Sequence, residues 1–178
     1  MFKLNFDIQR HFLENGLEVL TIKKDTKIAA INVGVKVGSL YEDINEKGIA
    51  HFIEHMLFKG TINREYEELN DELEFLGGEY NAYTDYAATV YTISCLEEEI
   101  PNALNILGDM FINSSFNNKE IEKERGVILS EIRSSKDDIE DFSFRRVNEC
   151  AFAKSPLKYD VAGLEENIIK YKREDLVK

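Results

Sequence analysis

Hydrophobic and polar residues alternate along the first part of the chain, as is typical of β-strands with one buried face. The alternation covers residues 8–13, 17–22 and 28–37, and Asn15-Gly16 between the first two segments is a strong signal for a tight hairpin. One face of the third segment is apolar throughout: Ala29, Ile31, Val33, Val35 and Val37. We therefore predict three strands, the third of which packs this face on the core.

The apolar positions then recur with a helical period, and two further strands interrupt the helices. The predicted strands are residues 79–84 and 88–96, and the predicted helices are residues 49–58, 64–76, 100–112, 118–134, a segment reaching about residue 152, and a charged end at 164–176. We expect Asn63 to cap the second helix. Because strands come in groups rather than alternating with helices, the order predicts one α+β domain, a two-layer sandwich of a mostly antiparallel sheet against helices.

Charge and composition narrow the possible functions. The 178 residues carry a formal net charge of -12, which argues against nucleic-acid binding because that needs clustered Lys and Arg. No apolar run approaches the roughly 20 residues that cross a bilayer, and residues 1–7 are too polar for a secretory signal. Cys95 and Cys150 lack close spacing partners, so we expect reduced, buried thiols and a cytoplasmic location.

The segment His51-Phe52-Ile53-Glu54-His55 carries the candidate chemistry. On a helix, His51 and His55 are four residues apart and lie on one face, where a single metal ion can bridge both imidazoles. Glu54 flanks the same position. Two histidines with a carboxylate that is not a ligand are what metal-assisted hydrolysis needs, because the metal acidifies a bound water and the carboxylate takes its proton.

A catalytic zinc site needs a third protein ligand, and here a carboxylate must provide it. Glu131 lies in the most apolar part of its predicted helix, and Glu124 is two turns earlier on the same face. Glu120 and Glu122 sit in the polar first turn, where acids are favoured by the helix dipole and are solvated. Glu131 is thus the better ligand, and Glu124 a candidate outer-shell partner.

The string from His51 to Thr61, HFIEHMLFKGT, resembles the active-site helix of the pitrilysin- and insulinase-type (M16) metallopeptidases, the inverzincins. The resemblance extends along nearly the whole chain, through these segments: Asn15-Gly16-Leu17, Gly38-Ser39, Gly77-Gly78, Asn81-Ala82-Tyr83-Thr84, Glu124-Arg125, residues 127–132 and Gly163. It implies a zinc-dependent endopeptidase with residues 1–178 as a catalytic domain.

Individual roles follow from this resemblance. It implies that His51, His55 and Glu131 bind Zn²⁺, that Glu54 is the general base, and that Glu124 is a further acidic residue of the catalytic site. It also implies that an edge strand pairs with an extended peptide substrate by β-augmentation. The residues of that strand are Asn81, Ala82, Tyr83 and Thr84.

The chain also departs from the family pattern. Enzymes of this type have two homologous halves or subunits, whereas one half is present here and it stops at Lys178. We expect a truncated domain whose partner is a second half, a second subunit or another copy, and which alone binds zinc but cleaves peptides poorly. Two alternatives remain: a non-catalytic partner or scaffold subunit, and a superfamily lyase that uses a cysteine ligand.

Overall fold

The computed structural model describes residues 7–178, so six of the seven residues on which the signal-peptide prediction rests lie outside the described residues. The first two strands, β1 (Asp7–Phe12) and β2 (Glu18–Lys23), form the predicted antiparallel hairpin. They make a two-stranded sheet of their own. Every residue of β1 is exposed, and all but one of β2.

The second sheet has three antiparallel strands in the order β3-β5-β4, namely β3 (Ile28–Val35), β5 (Thr89–Leu96) and β4 (Tyr80–Thr84). The predicted apolar face of β3 packs on the core through Ala29, Ile31 and Val33. The strand ends two residues earlier than predicted. Val37 lies outside it, and its carbonyl accepts a hydrogen bond from the Thr89 hydroxyl.

The helices form the second layer. Their bounds are α1 (Ile49–Leu57), α2 (Tyr66–Phe75), α3 (Ile100–Asn113), α4 (Asn118–Asp137), α5 (Ile139–Ala151), α6 (Glu165–Ile168) and α7 (Arg173–Leu176). The core lies between the layers, where side chains such as Phe52, Met110 and Ile128 are fully buried in one apolar cluster. The predicted α+β two-layer sandwich is therefore confirmed.

Two predicted helix boundaries were wrong. Helix α2 begins at Tyr66, and Asn63 does not cap it, because the Asn63 amide donates to the buried Asp109 carboxylate instead. The end of the chain is not one charged helix but the two short helices α6 and α7. Within α6, the Asn167 amide donates a hydrogen bond to the Ile44 carbonyl at 2.9 Å.

The two cysteines differ in their exposure to solvent. Cys95 is a buried free thiol as expected, whereas Cys150 is exposed, because none of α5 is fully buried. Within residues 7–178, no helix has both the length and the apolar character needed to span a membrane.

The start of α1 is fixed by a close backbone approach. Gly48 and Gly163 both have positive φ, at 97° and 86°, a conformation that favours glycine. A Cβ atom on Gly163 would lie 2.3 Å from the Gly48 Cα, so no larger residue fits there without moving the backbone. The first turn of α1 is therefore docked directly against a segment more than one hundred residues later in the chain.

Candidate active site

Helix α1 carries the three residues of the predicted motif. The buried Glu42 carboxylate accepts hydrogen bonds from the Gly48 and Ala50 backbone N–H groups, both at 2.9 Å, which satisfies free donors at the start of the helix. Phe52 and Met56 are buried in the core. Because these contacts fix the rotation of α1, the two histidines point together away from the core.

The donor atoms of His51, His55 and Glu131 converge. The two Nε2 atoms are 3.3 Å apart, and Glu131 Oε2 lies 3.9 Å from Nε2 of His51 and 3.6 Å from Nε2 of His55. Tetrahedral zinc with ligand bonds of about 2.0–2.1 Å places its ligand atoms about 3.4 Å from one another. The spacing and chemistry of these three groups therefore fit a zinc ion with one position left for water.

The two histidines differ in their electrostatic surroundings. Burial, and then the neighbouring charge of His55, lower the pKa of His51 to about 4, so this imidazole is neutral, as a metal ligand must be. Burial alone would lower the pKa of His55, but the hydrogen bond that it donates to Glu124 and the charges of Glu131, Glu124 and Glu54 raise it. The same carboxylates that favour a proton on His55 favour a cation in its place.

Glu124 lies behind His55 and orients it. Its Oε2 is 3.1 Å from His55 Nδ1, and its Oε1 is 3.0 Å from the Lys59 ammonium. Burial alone would raise the pKa of Glu124, but hydrogen bonds from His55 and Lys59 outweigh burial and lower it. An ionised Glu124 accepts the Nδ1 proton of His55 and leaves Nε2 directed at Glu131, which is how outer-shell carboxylates hold metal-binding histidines.

Glu54 projects from α1 toward strand β4. The Thr84 hydroxyl donates a hydrogen bond to Glu54 Oε2 at 2.5 Å. Burial raises the pKa of Glu54, while the hydrogen bonds from Thr84 and the charge of His55 oppose that rise. A carboxylate with a raised pKa accepts a proton more readily than one at its ordinary value, which suits a general base.

Strand β4 is an edge of the three-stranded sheet and lies beside these residues. The Asn81 and Tyr83 side chains are exposed, whereas those of Tyr80, Ala82 and Thr84 are half-buried toward the helices. Ser94 N–H bonds to the Glu79 carbonyl, so the backbone groups of odd-numbered residues face β5. The N–H and C=O groups of Tyr80 and Ala82 therefore face the open edge.

A cleft of about 280 Å³ runs between this edge and α1. It is lined by Glu54, His55, Phe58, Lys59, Tyr80, Asn81, Ala82 and Glu124. The Asn81 side chain lies across the strand edge, where its Oδ1 accepts the Ala82 N–H at 2.9 Å. A peptide strand that pairs here would have to replace that side-chain hydrogen bond.

The chain was then compared with known proteins. The profile of the insulinase family of peptidases, family M16, matches residues 18–164. The chain belongs to peptidase family M16. An uncharacterized zinc protease of Rickettsia felis is 40% identical over 173 residues, covering 97% of this chain and 42% of that protein. The mitochondrial-processing peptidase subunit beta of Rattus norvegicus is 37% identical over 165 residues, covering 93% of this chain and 34% of that subunit.

Solved M16-like structures agree with the fold. A protease from Helicobacter pylori superposes with a TM-score of 0.92 at 26% identity, covering 97% of this chain and 42% of that chain. The family resemblance predicted from the sequence is thereby confirmed. The chain spans 42% or less of the length of these three proteins.

The structure places the predicted site residues of this M16 chain within one region. His51, His55 and Glu131 form the cluster of donor atoms, while Glu124 and Glu54 lie on two sides of it. The edge residues line or flank the cleft: Asn81, Ala82, Tyr83 and Thr84. Their individual roles stay predictions.

Sequence reasoning missed Lys59. This lysine lies just beyond the C-terminal end of α1, four residues after His55, and it forms an ion pair with the predicted outer-shell Glu124. Its spacing from the motif was the available signal. It was passed over because a lysine is not a metal ligand.

Proposed function

We propose that this protein is a zinc-dependent endopeptidase that cleaves peptides or unfolded polypeptides, with Glu54 as the general base. The convergence of the His51, His55 and Glu131 donor atoms at zinc-like spacing is the observation that carries the proposal. Membership of a peptidase family and the naming of a relative as a zinc protease support it.

In this proposal the zinc ion provides Lewis acidity, and the residues of the chain provide ligation and proton transfer. A bound zinc ion supplies a Lewis acid that acidifies a water molecule and polarises the scissile carbonyl. His51, His55 and Glu131 would hold the ion, and Glu124 would keep His55 in the ligating tautomer. Glu54 takes the proton of the attacking water and passes it to the leaving amine, for which its raised pKa is suited.

The substrate is proposed to bind as an added strand along β4. The edge-facing backbone groups of Tyr80 and Ala82 would pair with the peptide backbone, after Asn81 releases the Ala82 N–H. The predicted substrate-binding segment, Asn81 to Thr84, thus remains part of the proposal. Because such pairing needs an extended chain, it favours peptides and unfolded polypeptides over folded proteins.

The proposed function also includes a partner that covers the exposed side of the donor cluster. Glu131 has a side chain that is 47% exposed, so the donor cluster faces outward on one side. A second M16-type half, a second subunit or another copy of the chain would cover that side, and a relative is itself named as a subunit.

The location proposed is the cytoplasm, where the free thiols of Cys95 and Cys150 would stay reduced.

The test compares Glu54→Gln with Glu68→Gln, which makes the same charge change on the exposed face of α2. Zinc per chain is measured by mass spectrometry, and cleavage of an unstructured fluorogenic polypeptide is followed over hours. We expect one zinc per chain in both variants, and cleavage only in wild type and Glu68→Gln. Wild-type turnover by Glu54→Gln would disprove the role of Glu54.

The same measurements separate the alternatives. A chain that binds no zinc and cleaves nothing is the non-catalytic partner subunit. A chain that binds zinc and cleaves S-ribosylhomocysteine instead of peptide is the superfamily lyase. We expect the 178-residue chain alone to be slow, so full turnover without any partner would contradict the proposed need for a second half.

A further inference from the structure

Thr84 lies at the end of the edge strand and contacts the proposed general base. We propose that Thr84 is a positioning residue that holds the Glu54 carboxylate away from the metal, rather than a residue that contacts substrate. This inference rests on the proposed function of Glu54. It narrows the proposed substrate-binding segment to Asn81, Ala82 and Tyr83, whereas the family resemblance also assigns Thr84 to that segment.

The direction of the hydrogen bonds can be deduced. The Thr89 hydroxyl donates to the Val37 carbonyl at 3.0 Å, which uses its only proton. The Thr84 and Thr89 oxygens are 3.4 Å apart, at the limit of a hydrogen bond. Since an ionised Glu54 can only accept, the single proton of Thr84 is directed to Glu54 Oε2, at 2.5 Å.

The Thr84 hydroxyl is committed to the Glu54 carboxylate. The Thr84 side chain is half-buried on the helix side of β4, whereas Asn81 and Tyr83 are exposed. A peptide added to this edge can therefore pair with the backbone of Tyr80 and Ala82, while the Thr84 side chain already donates its one proton to Glu54.

The position of Glu54 explains why such a restraint is needed. Glu54 is adjacent to His55 in the chain, and the charges of His55 and Glu131 both act on its carboxylate. A carboxylate free to turn beside the cluster would compete for a bound cation and close the position that a catalytic site keeps for water. The Thr84 hydroxyl, anchored on the sheet, holds the carboxylate beside the cluster instead.

The experiment uses the full chain loaded with Co²⁺, whose visible absorption reports its ligands and coordination geometry. Thr84→Val removes the hydroxyl at constant shape, and Thr84→Ser keeps it. Thr21→Val is the matched control, because it makes the same change on the exposed strand β2. Circular dichroism checks folding, and Thr84→Ala replaces the valine variant if that variant does not fold.

We expect an altered cobalt spectrum in Thr84→Val only. Adding Glu54→Gln to Thr84→Val should restore the spectrum of the Glu54→Gln single variant, because the intruding ligand is then gone. In the zinc-loaded chain, Thr84→Val should lower kcat about 10- to 100-fold, the range for outer-shell orienting groups. KM, zinc content and the affinity of the metal-free chain for a labelled peptide should stay within about twofold.

Each other outcome has a defined meaning. A Thr84→Val spectrum identical to wild type overturns the inference, and so does weaker peptide binding with unchanged kcat, which would make Thr84 a substrate contact. If metal binds and the Thr84→Val spectrum changes but wild type cleaves no peptide, the positioning role stands and the endopeptidase proposal fails. If wild type binds neither metal ion, both fail.

Discussion

Two clusters of polar side chains, one around His51 and His55 on α1 and one around Asp109 on α3, differ in how completely their hydrogen-bonding groups are paired. The cluster around Asp109 is saturated, since its carboxylate accepts hydrogen bonds at 2.5–2.7 Å. The donors are Thr61, Asn63, Arg64 and Asn113. Burial alone would raise the pKa of Asp109, but these four donors hold it well below the usual range.

The cluster around the two histidines is not saturated. Nδ1 of His51 is buried without a hydrogen-bond partner among the described residues. The two Nε2 atoms face each other at 3.3 Å, and three carboxylates act on His55. The comparison teaches that a saturated cluster stabilises the fold, whereas an unsaturated one of similar residue types marks a place for something not supplied by the chain.

The largest effect is expected at the saturated cluster. Asp109→Ala leaves Arg64 and three other donors without their acceptor, and should lower the free energy of unfolding by about 3–5 kcal/mol. Urea unfolding of the metal-free chain measures this loss. Glu72→Gln, at the exposed side of Arg64, removes a surface ion pair and should cost less than about 1 kcal/mol. Equal losses from the two variants would remove the distinction.

A loss of zinc with little loss of stability is expected at the unsaturated cluster. His51→Ala removes one of three protein ligands and should weaken zinc binding by about 3 kcal/mol, or roughly a hundredfold, when measured against a chelator of known affinity. Its metal-free unfolding energy should fall much less than that of Asp109→Ala. His11→Ala, on the exposed strand β1, is the control and should keep full zinc affinity.

Acidification should reduce the contribution of the saturated cluster. Because the pKa of Asp109 is lower in the folded than in the unfolded chain, its charge stabilises the fold above the unfolded value of about 4. That contribution is lost progressively as pH falls below about 5. The stability difference between wild type and Asp109→Asn, measured by urea unfolding at several pH values, should therefore shrink toward acid. A constant difference would contradict the role of the charge.

The same comparison shows what sequence can predict about the site. His51, Glu54 and His55 were predicted because their spacing on one helix is local, and Glu131 because its helix surroundings are apolar. The Asp109 cluster was not predicted. It joins residues 45–48 positions apart, and of its members Asn63 was interpreted as a helix cap and Arg64 and Asp109 as ordinary helix residues. Hydrophobic periodicity contains no information on such long-range polar partners.

The sequence pattern likewise predicted some features of the fold and missed others. Alternation predicted β3 and its buried face, because that pattern reports which side is apolar. The same pattern predicted β1 and β2 as strands, but it could not predict their exposure. Leu20 is 59% exposed and Ile8 is 58% exposed, so the apolar side chains of the hairpin are not packed in the core. Alternation identifies a strand without identifying what covers it.

The contact between Gly48 and Gly163 bears on when the protein becomes functional during its synthesis. The first turn of α1 rests on a segment that leaves the ribosome more than one hundred residues later, and ribosomes add about 5–20 residues per second. The histidines are thus translated and exposed for several seconds before their helix can pack against the segment around Gly163. A nascent chain would gain its metal-binding geometry only near the end of this segment, which delays any hydrolysis until the surrounding domain has formed.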